Sequence, residues 1–442
     1  MDHTSSISPD QLRAFRSSYT ASTLSRVATR AASRQAINDI CYDTDHAKQM
    51  NQKFSIDNPT MTACNQKSSG RCWIFAAMNL LREKAAKKLH LEELELSQSY
   101  ISFYDHLEKA NTFLEHILET GHAPLDDRYV SMLLSEPIGD GGWWEYFVGL
   151  CLKYGVVPKE AMPETYQSSH TETMNMLLNM QLRKDALLLR KELASGKSRQ
   201  EVQKLKDSML ARVYNVLAIS LGNPPEIFDF EYVDKEKAYH ADRNLTPRAF
   251  YDKYIGRDLR NIVSIMNAPV SSVPYYRTCY TRGEESIYGT YPSKRLNLPM
   301  EEFKAAVIRQ LEAGDLVWFV CDCDYYGSRE EGIWDTGLYD YESLLGLDLS
   351  MAKQDLLQYR QCSLNHAMLL TGVNLVNGRP DKWKIQNSWG TENGEKGYFI
   401  MSDDWFDRYV FTASIDREYL TERQWEQFLQ EPLVLPPWNV LG

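Results

Sequence analysis

The chain has 442 residues, of which 43% are hydrophobic, 12% aromatic and 25% charged, a globular composition long enough for more than one structural unit. Its 60 acidic residues outnumber the 49 basic ones for a formal charge of −11, so nucleic acid is not an expected partner. No run of ~18 apolar residues could span a membrane, and the first residues lack a basic stretch followed by an apolar one; no membrane partner and a cytoplasmic location are therefore expected.

Residues 1–60 are polar with scattered apolar positions and read as a helix followed by an extended arm laid over the rest of the molecule. From Cys72 the stretch Trp73-Ile74-Phe75-Ala76-Ala77-Met78 is almost continuously apolar and then turns polar at Arg82-Glu83-Lys84, which predicts a helix whose N-terminus is buried and whose far end meets solvent. Residues 92–119 continue as helix, with Ser97 placed as an N-cap. A break follows at Gly139-Asp140-Gly141-Gly142, and 171–221 reads as two or three amphipathic helices interrupted near Ser195-Gly196.

Beyond 261 the pattern changes to short β-type runs at 316–321, 367–371, 383–387 and 397–401, and the tail holds Pro432, Pro436 and Pro437, as an extended arm would. Helices first and strands later predict an α+β fold of two lobes. The expected units are an N-terminal helix and arm (1–60), a helical lobe (61–165), a helical insertion (166–260), a β-rich lobe (261–425) and a C-terminal arm (426–442).

Eight cysteines scattered along a chain of this length point to reduced thiols. Cys321 and Cys323 lack a second Cys or His pair at zinc spacing and are read as core thiols, so neither a metal nor a cofactor is expected. Cys72 differs from the others because it opens a helix directly after the turn Gln66-Lys67-Ser68-Ser69-Gly70-Arg71, which sets its sulfur against the positive end of the helix dipole. A helix N-terminus and a nearby imidazolium would hold such a thiol as thiolate. His366 stands at the start of one predicted strand and Asn387 at the end of the next, as neighbouring antiparallel strands would need to bring the two side chains together. His106, His116 and His122 form no metal-binding pattern and read as helical surface.

The segment Gln66 to Trp73, the His366 strand and Asn387-Ser388-Trp389-Gly390 together resemble, in chain order, the three active-site signatures of papain-like cysteine peptidases. The long interval from Cys72 to His366, with Asp140-Gly141-Gly142, Leu221-Gly222-Asn223-Pro224-Pro225 and Glu431-Pro432-Leu433-Val434-Leu435-Pro436, is similar to the aminopeptidase C and bleomycin hydrolase family across nearly the whole chain. The resemblance implies a papain-like two-lobe fold with a helical insertion, a homohexamer acting on peptides, and a C-terminal arm reaching into the cleft. It implies roles as well: Cys72 as nucleophile, His366 as acid and base, Asn387 as its orienting partner and Gln66 as oxyanion donor. Trp73 and Trp389 would support the site, and Gly141, Gly142 and Gly442 would meet substrate.

The function so implied is aminopeptidase-like release of N-terminal residues. The chain reaches Gly442 with Asn439-Val440-Leu441 before it, where the family's usual ending carries a few more residues, so an alternative is an oligopeptide endopeptidase with a shortened arm. A catalytically idle structural or nucleic-acid-binding cage is the alternative of another class.

Overall fold

A computed structural model describes residues 6–256, 258–290 and 293–441. The N-terminal stretch forms two helices where the sequence suggests one, α1 (Pro9–Ala21) and α2 (Thr23–Ala32). Ser22 is the reason: it closes α1 in an extended conformation and caps α2 by accepting from Ser25 N–H. α1 buries no residue and α2 only Ala28. After two short helical turns the chain extends, and Ile56–Asp57 pairs with the strand that begins at His366, so the arm is laid along the sheet that carries the site.

The first lobe is helical. α3 (Cys72–Leu89) buries its whole first half, α4 (Gln98–Glu119) starts at Ser97, whose side chain accepts from Tyr100 N–H, and α5 (Arg128–Ser135) is capped by Asp127. α6 (Trp144–Tyr154) follows the glycine-rich break. The next tract is two long helices, α7 (Glu172–Ala194) and α8 (Arg199–Leu221), both packed against α4. Beyond them lies a hairpin of β1 (Phe228–Val233) and β2 (Tyr239–Leu245), so the stretch read as a helical insertion contains strand as well.

The second lobe is a mixed sheet. In chain order its main strands are β3 (Ile262–Met266), β4 (Thr278–Thr281), β5 (Arg295–Asn297), β6 (Val317–Cys321), β7 (His366–Val376), β8 (Arg379–Gln386), β9 (Tyr398–Ser402), β10 (Val410–Asp416) and β11 (Leu433–Leu435). Across the sheet they run β11, β4, β5, β3, β10, β6, β7, β8, β9. β7 is central, antiparallel to β6 with His366 opposite Cys321, and antiparallel to β8 with Leu369 opposite Gln386.

α3 lies across β7, and the two hydrophobic cores meet there: one is built from α3, α4 and the long helices, the other from the inner face of the sheet and helix α9 (Met300–Glu312). Trp318 of β6 and Leu369 of β7 belong to the helical core although they stand on the sheet. The start of α3 and the start of β7 therefore face each other at the seam between the lobes.

Candidate active site

Cys72 is the first residue of α3, preceded by Arg71 with no side-chain cap on the helix. Its sulfur accepts from Ala367 N–H at 3.5 Å, which binds the first turn of α3 to the first residues of β7. One residue back along β7, His366 is buried, and its Nε2 lies 2.9 Å from Asn387 Oδ1. Ser388 N–H donates to the same oxygen at 2.7 Å, which fixes the amide's orientation and makes Nε2 the protonated nitrogen. Nδ1 is thereby the basic atom of His366.

Trp389 stacks on the imidazole with centroids 4.9 Å apart and planes at 23°. The Arg329 guanidinium covers the indole from 4.6 Å.

Ser388 also joins the two sides of the site. Its hydroxyl donates to Gln66 Oε1 at 2.5 Å, and its carbonyl accepts from Gln66 N–H at 2.8 Å. With Oε1 engaged, the Gln66 amide nitrogen gives one hydrogen to Ser69 O at 2.6 Å and keeps a second, and Gln66 and Cys72 line the same cleft. Gly390, at φ +81°, lets the strand end turn so close to Asn65 that a Cβ there would stand 2.5 Å from its amide.

Both reactive groups are pushed toward neutrality. Burial raises the Cys72 thiol to about 11 against the pull of the Ala367 and Trp73 N–H groups. Burial likewise lowers His366 to about 4, opposed by its bond to Asn387, and the positive Arg329 lowers it further. Each ion alone is costly here, whereas passing the thiol proton to the imidazole leaves the pair's net charge unchanged.

The cleft over these groups has a volume of about 740 Å³ and is walled by Phe113, Met132, Leu133 and Ile138, with Cys72, Gln66, Trp73, Gly141, Gly142 and His366 also lining it. Gly141 opens to free space, but a Cβ on Gly142 would stand 2.5 Å from the Trp73 ring, so glycine at 142 is demanded by the packing of Trp73. The Trp73 indole N–H donates to Asp140 O at 2.7 Å.

The expected contact Gly442 lies outside the described residues. The arm before it pairs in parallel with β4 through β11; its Asn439 donates to Thr281 Oγ1 at 3.0 Å and its Trp438 lies 4.2 Å beneath Arg128. Among the described residues the arm contributes none of the cleft lining.

The site also has a polar frame that no sequence motif marks. Arg71 is fully buried and forms a two-pronged pair with Glu164 at 2.8 and 3.1 Å, and Lys109 donates to Asp105 at 2.6 Å and to the carbonyls of Gly139 and Gly141. His106 and His116 are buried, not helical surface as expected, because Asp140 and Glu285 from distant segments meet them, while His122 is exposed. The available signal was spacing: Asp105, His106 and Lys109 are polar residues on one face of α4 beside Phe103 and Phe113.

A model described as the Peptidase C1-like family matches residues 6–442. The protein named Aminopeptidase C of Lactobacillus delbrueckii subsp. lactis is 40% identical over 439 residues, 99% of this chain and 98% of that protein. Aminopeptidase C of Listeria monocytogenes serovar 1/2a is 42% identical over 389 residues, 88% of each chain. The crystal structure of PepW from Lactobacillus rhamnosis HN001 superposes with a TM-score of 0.97 at 42% identity, covering 99% of both chains.

Proposed function

We infer the activity from one premise: this chain belongs to the Peptidase C1-like family and is a papain-like cysteine peptidase of the aminopeptidase C type. Its work is the release of N-terminal residues from peptides. The observation that carries the mechanism is the convergence, in one cleft, of the Cys72 thiol at a helix start and an imidazole whose Nε2 is held by Asn387 at 2.9 Å.

Cys72 Sγ loses its proton to His366 Nδ1 and attacks the scissile carbonyl; the imidazolium returns that proton to the leaving amine, and the same nitrogen then activates water to release the acyl group. Asn387 keeps the ring turned so that Nδ1 is the atom presented, and Trp389 keeps water from the bond between them. The developing oxyanion is met by Cys72 N–H and by the second hydrogen of Gln66 Nε2, a contribution of about 2.7–4 kcal/mol per donor in comparable sites. Gly141 lies open beside the nucleophile to receive the substrate backbone, and Gly442 would offer its carboxylate to the substrate's α-amine. The insertion at 166–260 and the arms at 1–60 and 426–442 surround the two catalytic units, 61–165 and 261–425. A homohexamer in the cytoplasm, taking peptides into enclosed clefts, completes the reading.

One observation favours a second reading, endopeptidase action on oligopeptides: the described arm residues stay on the β4 edge and leave the cleft open. A mass-spectrometric time course on one decapeptide, with its amino terminus free or acetylated and with Cys72→Ala as blank, separates the two. Stepwise loss of single residues from the free form alone is the expected result. Internal cuts in both forms would replace it with endopeptidase action, and turnover persisting in Cys72→Ala would sink the cysteine mechanism. Light scattering checks the assembly, which a monomer would contradict.

A further inference from the structure

Asp140 is the meeting point of three segments that are far apart in the sequence. It comes from the glycine-rich loop between α5 and α6. Its Oδ2 accepts from Gly70 N–H at 2.7 Å and from the Thr171 hydroxyl, and its Oδ1 accepts from Asn175 Nδ2 at 2.7 Å. Oδ1 also lies 3.2 Å from His106 Nε2, with side chains 10% and 1% exposed. His106 is itself fixed, since its Nδ1 lies 2.8 Å from Ser102 O and its Nε2 3.0 Å from Asn175 Oδ1.

The four partners come from three different parts of the molecule. Gly70 lies two residues before Cys72 in the turn that also carries Gln66. Thr171 stands at the N-terminal boundary of the first insertion helix α7, its hydroxyl turned to Asp140, and Asn175 lies in the helix's first turn. His106 is on α4. The backbone of Asp140 adds a fourth tie, its carbonyl taking the Trp73 indole N–H. Gly70 fits so tightly that a Cβ on it would stand 2.8 Å from Asp140 Cβ. The turn is tied to the same insertion segment twice more, by Arg71 to Glu164 and by Ser68 N–H to Ser169 O at 3.0 Å.

We propose that Asp140 is a positioning residue of the peptidase reaction: through Gly70 it sets the height of the Gln66–Cys72 turn, and with His106 it locks that turn to the Gly141–Gly142 wall and to the insertion. The turn has no repeating backbone ladder to define it, so the direction of Cys72 N–H and the reach of Gln66 depend on what the turn is fastened to. A carboxylate suits this place because four donors converge on it. Burial alone would raise Asp140, but His106, Thr171 and Asn175 hold it well below the usual carboxylate range, so it is an anion throughout the working pH range. The insertion thus acquires a role in catalysis beyond bulk: its first turn is part of the mounting of the nucleophile.

The proposal rests on Cys72 as the nucleophile, and its test measures the two ideas separately. The second-order rate of Cys72 alkylation by iodoacetamide and the kcat and KM on an aminoacyl-amide substrate are compared among wild type, Asp140→Ala, Asp140→Asn, Thr171→Val and Asp185→Asn, well below unfolding. Asp185 is a fully buried carboxylate paired with Arg212 at 2.9 Å inside the insertion, is not among the residues that line the cleft, and serves as the control.

Asp140→Ala should lower kcat at least tenfold and the alkylation rate at least fivefold, with KM changed less than threefold. Asp140→Asn should recover part of both, because an amide oxygen still accepts from Gly70, and Thr171→Val should show a smaller loss in the same direction. Asp185→Asn should lower the unfolding temperature and leave both rates within twofold. Should Asp140→Ala not fold, Thr171→Val and Asp140→Asn decide. Folded Asp140 variants with kcat and alkylation within twofold of wild type would overturn the proposal. A wild-type enzyme unlabelled at Cys72 would overturn the underlying reading instead.

Discussion

His366 and Asn387 are placed by strand register, whereas the turn from Gln66 to Cys72 leans heavily on side chains. His366 is the first residue of the central strand β7, hydrogen-bonded to β6 on one side and β8 on the other, and Asn387 follows the last residue of β8 directly. Their separation is a consequence of strand register, which many bonds define together. The Gln66–Cys72 turn instead hangs on the two-pronged Arg71–Glu164 pair, on Asp140–Gly70 and on Ser388–Gln66, with isolated backbone bonds from Gln66 to Ser388 and from Ser68 to Ser169, a few separate contacts between residues far apart in sequence. Losing one bond in a ladder costs a share of the whole; losing one partner of a buried pair leaves a charge without its counterpart.

The largest expected effect breaks this comparison if it fails. Arg71→Met removes a guanidinium 1% exposed from a carboxylate 21% exposed, which should cost about 3–5 kcal/mol of stability and, because the turn loses its anchor, should also lower kcat at temperatures where the protein is still folded. Leu369→Ala, in the fully buried middle of β7, should cost a similar ~2–5 kcal/mol as a cavity yet leave kcat nearly intact. Denaturant titration paired with kcat per titrated thiol checks both. Equal kinetic losses in the two variants would mean that the two halves are equally robust.

Gln66→Ala comes next and sharpens the oxyanion assignment. With Cys72 N–H still present, kcat should fall about 10²- to 10³-fold, the loss of one preorganised donor, while KM hardly moves. A fall confined to KM would assign Gln66 to ground-state binding. Ser388→Ala should follow Gln66→Ala in direction and be weaker, because it frees the Gln66 amide to turn without removing it.

On the strand side the expected change is one of pH. Below about 4 His366 gains a second proton and cannot accept from the thiol; above about 11 Cys72 keeps none to give. Activity should therefore hold across the interval and persist below the ordinary imidazole range near 6.5. Asn387 opposes the burial that lowers His366, so Asn387→Ala should move the acid limb of kcat/KM further down and reduce the plateau, roughly tenfold or more, as the ring loses its orientation. Stability has its own sign: a histidine lowered in the fold binds fewer protons than when unfolded, so its contribution is complete above about 6.5 and is lost as pH falls toward about 4. An acid limb that rises in Asn387→Ala would contradict this account.

The same division explains what could be read from the residues alone. Cys72, His366 and Asn387 were legible because each stands where an element begins or ends, and the order of helices and then strands was enough to set the two lobes against one another. Ser97 as a cap and the break between α7 and α8 were legible for the same local reason. Arg71, Asp140 and Glu164 were not, since their partners come from segments far away in the chain. His106 and His116 look like surface in the sequence because a helix face shows which residues are polar but not which acids will be folded over it. The hairpin β1–β2 was legible in principle: Phe228, Phe230 and Tyr232 alternate with polar residues, a period-two signal beside two long helices that drew the helical reading onward. Ser22 splitting α1 from α2 was visible too, as a serine within Thr20-Ala21-Ser22-Thr23.

The smallest effect comes from the wall between the two halves, where adjacent glycines should behave differently. Gly142→Ala drives a methyl into the buried Trp73 ring, which is tied to Asp140 and cannot yield easily, so about 1–3 kcal/mol of stability should go with it. Gly141→Ala meets nothing within 4 Å and should stay within about 0.5 kcal/mol of wild type. Its informative readout is KM. A substrate lying along the wall must bring its backbone close to residue 141, so a methyl there should raise KM three- to tenfold with kcat unchanged, more for a tripeptide amide than for a single aminoacyl amide. Unchanged KM for both would mean that substrate does not use this wall. The rigidity imposed by Asp140 and Lys109 would then serve Cys72 alone, and the nucleophile's half of the site would carry no part of substrate binding.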